Sequence, residues 1–125
     1  DQMQVSKLTC HCGSVEIELR LPSGLENLRR CNCTICSRKN AIVADVKMGN
    51  LKILKGKELL SLYTFNTHKA KHYFCSKCGI YTHHQRRSSP SKFGFNISCV
   101  EGISVEDYLN VGYVDGRNNH PADYK

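Results

Sequence analysis

A chain of 125 residues, 40% hydrophobic and 23% charged, suffices for one globular core and is too short for two ordinary domains. No apolar run approaches the roughly 18 residues of a membrane helix, and the opening segment DQMQVSKLTC holds no apolar stretch of the secretory kind, so a cytoplasmic protein without a membrane partner is expected. The formal charge of +7 comes from 18 Lys and Arg against 11 Asp and Glu, but no interleaving of aromatic with basic residues supports a nucleic-acid surface.

The elements expected along the chain are mostly strands. Val15, Ile17, Leu19 and Leu21 alternate with Ser14, Glu16, Glu18 and Arg20, the period of a half-buried strand, and Pro22-Ser23-Gly24 ends it. AIVADVKM at 41–48 alternates again, with Ile42, Ala44, Val46 and Met48 on one face. LKILKG, LLSLYTF and AKHYFC read as further strands. QRRSSPSK at 85–92 reads as a loop, after which Phe93, Phe95, Ile97 and Cys99 alternate with Gly94, Asn96 and Ser98 up to a Glu-Gly turn. One short helix is expected at VEDYLN, with Ser104 as N-cap and Asp107 in its first turn. Nothing marks a linker or a repeat, so residues 1–125 read as a single mainly β domain with a core of about 6–118.

Eight cysteines are many for this length. Their even number allows a disulfide framework, but their spacing favours metal. Cys10 and Cys12 form C-x-C, Cys31, Cys33 and Cys36 form C-x-C-x-x-C, Cys75 and Cys78 form C-x-x-C, and Cys99 stands alone. Disulfides constrain the unfolded chain most when they close long loops, whereas close pairs suit a tetrahedral ion that takes two ligands from one turn. Seven thiolates around two Zn²⁺ ions would bring the formal charge down to about +4. Much of the basic excess then offsets the clusters, with Arg29, Arg30, Arg38 and Lys39 flanking the second group and Lys77 inside the third.

Both Cys10-His11-Cys12-Gly13 and Cys75-Ser76-Lys77-Cys78-Gly79 end in Cys-Gly, where glycine permits a turn with positive φ. Two such turns facing each other build a closed four-sulfur site, the structural kind. Spacing alone equally allows Cys31 and Cys33 to partner Cys75 and Cys78. If the first pairing holds, Cys31, Cys33 and Cys36 remain as a tripod whose fourth position is open, the arrangement of a catalytic zinc. A protein ligand could instead close it, with Cys99, His68, His72, His83 and His84 as candidates. A lone cysteine on an alternating strand is more often a small buried hydrophobe, so Cys99 is left out of the ligand set.

These residues carry a resemblance. CHCGSVEIEL at 10–19, CNCTIC at 31–36, YFCSKCGIY at 73–81 and FNISCVEG at 95–102 resemble the glutathione-dependent formaldehyde-activating enzyme family, which also includes centromere protein V-type proteins. YVDGRN at 113–118 is similar to that family's Asp-Gly segment. The resemblance implies a tent-like arrangement of β-sheets bound by two zinc ions per chain. It implies Cys10, Cys12, Cys75 and Cys78 as structural zinc ligands and Cys31, Cys33 and Cys36 as ligands of a second, catalytic zinc. It also implies glutathione as the thiol partner, joined to formaldehyde as S-hydroxymethylglutathione by a carbon–sulfur lyase. No catalytic residue beyond the zinc ligands is assigned. Two other functions fit the same residues: a lyase for another thiol or electrophile, and a non-catalytic zinc module that binds a macromolecule.

Overall fold

The computed structural model describes residues 4–87 and 89–116, and strands dominate it. β1 (Gln4–Thr9) and β2 (Glu16–Leu21) pair antiparallel, and β2 pairs in turn with β5 (Leu51–Lys55) to give a three-stranded sheet. The remaining strands are β3 (Glu26–Cys31), β4 (Val43–Lys47), β6 (Leu60–Tyr63), β7 (Lys71–Cys75), β8 (Tyr81–Gln85), β9 (Lys92–Asn96) and β10 (Tyr113–Val114). They form a seven-stranded sheet in the order β10-β3-β4-β9-β8-β7-β6, antiparallel except where β10 runs parallel to β3. Among the described residues no helix is long and apolar enough to cross a membrane.

The period-2 pattern explains the core. Ile17, Leu19 and Leu21 of β2 and Leu8 of β1 are buried in one cluster with Ala44 and Val46 of β4, Phe95 of β9, Ile42, Ile97 and Val100. Each such large apolar side chain contributes about 1.5–3 kcal/mol on burial. Cys10 and Cys75 belong to the same cluster, so two of the sulfur-bearing residues are anchored in the hydrophobic core.

Three parts of the sequence fold differently from expectation. Residues Thr34–Lys39 form a short helix, α1, within the C-x-C-x-x-C segment, where no helix was expected. Six residues with no Ser, Thr, Asp or Asn at the N-cap give no periodic signal; Cys33 occupies that position in extended conformation, and Asn40 ends the helix with φ 50°. VEDYLN, expected as a short helix capped by Ser104, is a single 3-10 turn at Val105–Tyr108 without that cap, because the Ser104 hydroxyl donates to the Glu106 carboxylate rather than accepting from the helix backbone. Alternation at 93–99 also stops early: β9 ends at Asn96, whose side chain accepts from the Ser98 N–H and turns Ile97–Cys99 into a 3-10 turn. The loop expected at 85–92 joins β8 to β9, and Lys92 N–H to Ser89 O at 2.9 Å tightens it. Arg117 and Asn118, the end of YVDGRN and of the expected core, lie outside the described residues.

Register across the large sheet sorts its side chains. Tyr63, His72, His84, Gly94 and Asp45 are successive partners across β6, β7, β8, β9 and β4 and so share one face. Leu62, Tyr73, His83, Phe95 and Ala44 make the neighbouring row on the other face, which holds core residues.

Candidate metal centres and the cleft

Four of the cysteines meet at the end of the small sheet. The Sγ atoms of Cys10, Cys12, Cys75 and Cys78 all lie within 4.8 Å of one another and could hold a metal ion. Cys10 Sγ is 3.7 Å from Cys12 Sγ, which is 3.8 Å from Cys75 Sγ. Two turns of matching design bring them together. Cys10 N–H donates to Val15 O and Cys75 N–H to Ile80 O, while the Gly13 and Gly79 N–H groups close back onto the Cys10 and Cys75 carbonyls. Both glycines sit at φ near +80°, which side chains rarely adopt.

Backbone amides face the sulfurs in these turns. Val15 N–H is 3.3 Å from Cys10 Sγ. Hydrogen bonds from Ser14 pull the exposed Cys12 thiol down to about 6, and the backbone amides of Cys12 and Ile80 lower that of Cys78. Burial pushes Cys75 the other way, to about 11. Amide dipoles thus favour thiolates at Cys12 and Cys78, while the buried Cys75 resists carrying charge unless a cation accompanies it.

Cys31, Cys33 and Cys36 form the second group, also with all three Sγ atoms within 4.8 Å. β3 ends at Cys31, Cys33 caps α1 and Cys36 lies in its first turn, so strand end and helix start aim three sulfurs at one point. Side-chain hydrogen bonds from Cys33 and Cys36 hold the Cys31 thiol far down, at about 2, and the same bonds to Cys31 push Cys33 and Cys36 up. Three sulfurs hydrogen-bonded to one another are a donor set suited to a cation that displaces their protons.

The grouping that spacing left open is therefore Cys10 and Cys12 with Cys75 and Cys78. Among the described residues no fourth His, Cys, Asp or Glu joins the tripod. Each candidate is engaged elsewhere: His68 with Thr64, His72 with Lys39, His83 with Thr82, His84 with Tyr81. Cys99 packs against the core, its S–H facing Tyr81 O at 3.7 Å, and burial raises its thiol to about 11.

A cleft of about 120 Å³ lies on the tripod, lined by Cys31, Cys33 and Cys36 together with His72, His84, Arg86 and neighbouring residues. Its apolar walls come from Ile35, Val43, Phe65, Ala70 and Val114, and its charge from Arg29, Arg86 and Arg87. Asp45, which is buried, fixes two of these arginines: Arg29 Nη1 is 2.9 Å from Oδ1 and Arg86 Nη1 is 2.7 Å from Oδ2, with Asn27 Nδ2 at 2.8 Å from Oδ2.

The sequence fits the family model described as glutathione-dependent formaldehyde-activating enzyme over residues 5–111. The chain belongs to that family. A crystal structure of a Rhodobacter sphaeroides protein, a Northeast Structural Genomics target, is 48% identical, covering 86% of this chain and 99% of that one with a TM-score of 0.83.

Several contacts around the tripod and the cleft are not visible in the sequence. Gly116, in the YVDGRN segment, packs directly on the tripod, where a Cβ would lie 2.5 Å from Cys31 Sγ. Asn32, between two tripod cysteines, donates to Asp115 at 3.1 Å and takes Val114 O on its own N–H at 3.2 Å, tying that segment to the site. Lys39 Nζ is 2.9 Å from His72 Nδ1 and 3.7 Å from the centre of the Tyr81 ring. Burial lowers Lys39 to about 8 against the pull of the tripod sulfurs. The Asp-Gly dipeptide and the His83-His84 pair were the available signals; neither reveals its partner without the fold.

Proposed function

We propose that the chain is a zinc-dependent carbon–sulfur lyase that joins glutathione and formaldehyde to S-hydroxymethylglutathione. Cys10, Cys12, Cys75 and Cys78 hold a structural zinc in this reading, and Cys31, Cys33 and Cys36 hold the catalytic one. The observation that carries it is a three-sulfur tripod opening into a small cleft with apolar and cationic walls.

The donor sets fit zinc. Sulfurs about 2.3 Å from a tetrahedral ion are separated by roughly 3.8 Å, close to the 3.7 and 3.8 Å between Cys10, Cys12 and Cys75. A zinc ion on the tripod would supply one thing, a lowered thiol pKa that keeps the substrate sulfur a nucleophile at neutral pH.

The protein's own residues do the rest. Cys31, Cys33 and Cys36 fix the position at which the thiol enters. Arg29 and Arg86, held by Asp45, and Arg87 give the cleft a positive potential that favours a thiol bearing carboxylates. Val43, Phe65 and Ala70 restrict the space beside the sulfur to a small electrophile and displace water from it.

Intact native mass of freshly reduced protein, with and without glutathione, tests the reading. Two zinc ions and one bound glutathione are expected, and Cys33→Ser should keep one zinc and lose turnover. A metal-free protein, or a Cys33→Ser variant that still turns over, would overturn it.

A further inference from the structure

Two imidazoles share the face of the sheet that carries the cleft. His72 and His84 are direct partners across β7 and β8, and their rings stack at 5.5 Å. Both line the cleft beside the three sulfurs. His84 is held from three sides. Its Nδ1 lies 2.5 Å from the Tyr81 hydroxyl. Its ring lies on Gly94, its partner across β9, where a Cβ would fall 2.5 Å from His84 Cε1. The His72 ring covers it from β7, and His72 is itself tied through Nδ1 to Lys39.

This arrangement points to where the His84 proton sits. Burial raises the Tyr81 phenol well above its ordinary value, so it stays protonated and has a hydrogen to offer His84 Nδ1. Burial, together with the nearby Lys39 cation, keeps the imidazole neutral. A neutral ring that accepts at Nδ1 carries its hydrogen on Nε2. Among the described residues no protein group takes that hydrogen, and the ring belongs to the wall of the cleft.

We propose that the Nε2–H of His84 donates a hydrogen bond to the carbonyl oxygen of the electrophile as the thiol adds, with Tyr81 as the positioning residue that sets this tautomer. The proposal rests on the thiol–aldehyde chemistry given under Proposed function and adds a group outside the cysteines to it. In the step, a sulfur electron pair forms the S–C bond and the C=O π pair moves onto oxygen. That oxygen then takes a proton from solvent, equal in number to the one the thiol released on ionising. His84 ends as it began. A donor fixed in a cleft with partly apolar walls stabilises developing charge without reorganising.

Two measurements on the two-zinc protein test this. Long-range ¹H–¹⁵N spectra should show His84 with a bare Nδ1 and a protonated Nε2, a preference that Tyr81→Phe should abolish. Exchange of ¹³C-formaldehyde with its glutathione adduct, followed by NMR, should slow about 100-fold in kcat for His84→Leu. KM for glutathione should stay within about twofold and both metals should remain bound, because the donor acts on the oxygen rather than on the thiol. His84→Gln, which keeps an N–H donor, should recover part of the loss and also serves if the leucine variant folds poorly. Protonation at Nδ1, or unchanged kcat in both variants, overturns the assignment of His84 while leaving the function standing. A wild-type protein that holds two zinc ions and exchanges no formaldehyde overturns the function, and the role of His84 with it, whatever the tautomer.

Discussion

Gly116 lies so close to Cys31 that a Cβ on the glycine would fall 2.5 Å from the cysteine sulfur and 3.3 Å from Cys33 Cβ. Its backbone also hydrogen-bonds to Cys31 and helps to lower that thiol. A segment more than eighty residues downstream therefore forms one wall of the tripod, delivered by the parallel pairing of β10 with β3.

Gly116→Ala should accordingly loosen the second metal and spare the first. Displacing groups that orient metal ligands typically costs about 10–100-fold in affinity. Competition with a chromogenic chelator should show one zinc released at that lower chelator concentration and the other unchanged. Equal loss of both ions, or of neither, would mean that Gly116 does not support the tripod.

Asp45 is 3% exposed in its side chain and meets Arg29, Arg86 and Asn27. Its removal leaves two cations without their partner in a buried setting. Asp45→Ala should cost about 3–5 kcal/mol, read as a lower denaturant midpoint, with Asp45→Asn costing less because an acceptor oxygen remains. The surviving Asp45→Asn protein should show weaker glutathione binding, since the arginines lining the cleft lose their fixed positions. Unchanged stability in both variants would sink this view of Asp45.

What the sequence revealed, and what it hid, divides along physical lines. Strand β2 was legible because one buried face imposes period 2 on its side chains. β3 was not: its buried residue is Arg29, on the cleft side and paired with Asp45 of the next strand, and no local pattern reports that pairing. α1 was hidden because its sequence is governed by sulfur geometry rather than by an apolar stripe. The cysteine groups were visible from their spacing, but spacing could not decide their partners. The His83-His84 pair was visible too, and the strand resolves it by sending His83 to stack on Tyr73 at 4.7 Å and His84 to the cleft.

The two metal positions should differ in their bearing on the fold. Cys10 and Cys75 are buried within the hydrophobic cluster, so losing an ion there removes a cross-link between two turns anchored in the core. The tripod joins a strand end to a short helix at the rim of a cleft. Stepwise chelation should remove the tripod ion first with little change in far-ultraviolet circular dichroism. Removal of the second ion should coincide with cooperative unfolding, as metal binding there is part of the folding energy. Unfolding on release of the first ion would contradict this order.

Acid should destabilise the protein through its buried imidazoles, apart from any effect on metal. Burial lowers His72 to about 3 and His83 to about 4, against an ordinary 6.5. The unfolded chain therefore binds more protons than the folded one once pH falls below about 6.5. Their stabilisation is fully present above that value, shrinks as pH falls, and stops changing below the folded values. His84 is held neutral by burial as well, so three rings contribute, and the slope should approach about 4 kcal/mol per pH unit between roughly pH 6 and 4.5. Denaturant unfolding of wild type, His72→Gln and His83→Gln over that range isolates the effect, because thiolate protonation is common to all three. Each variant should lose about a third of the imidazole contribution; identical slopes in all three would show that neither His72 nor His83 titrates with folding.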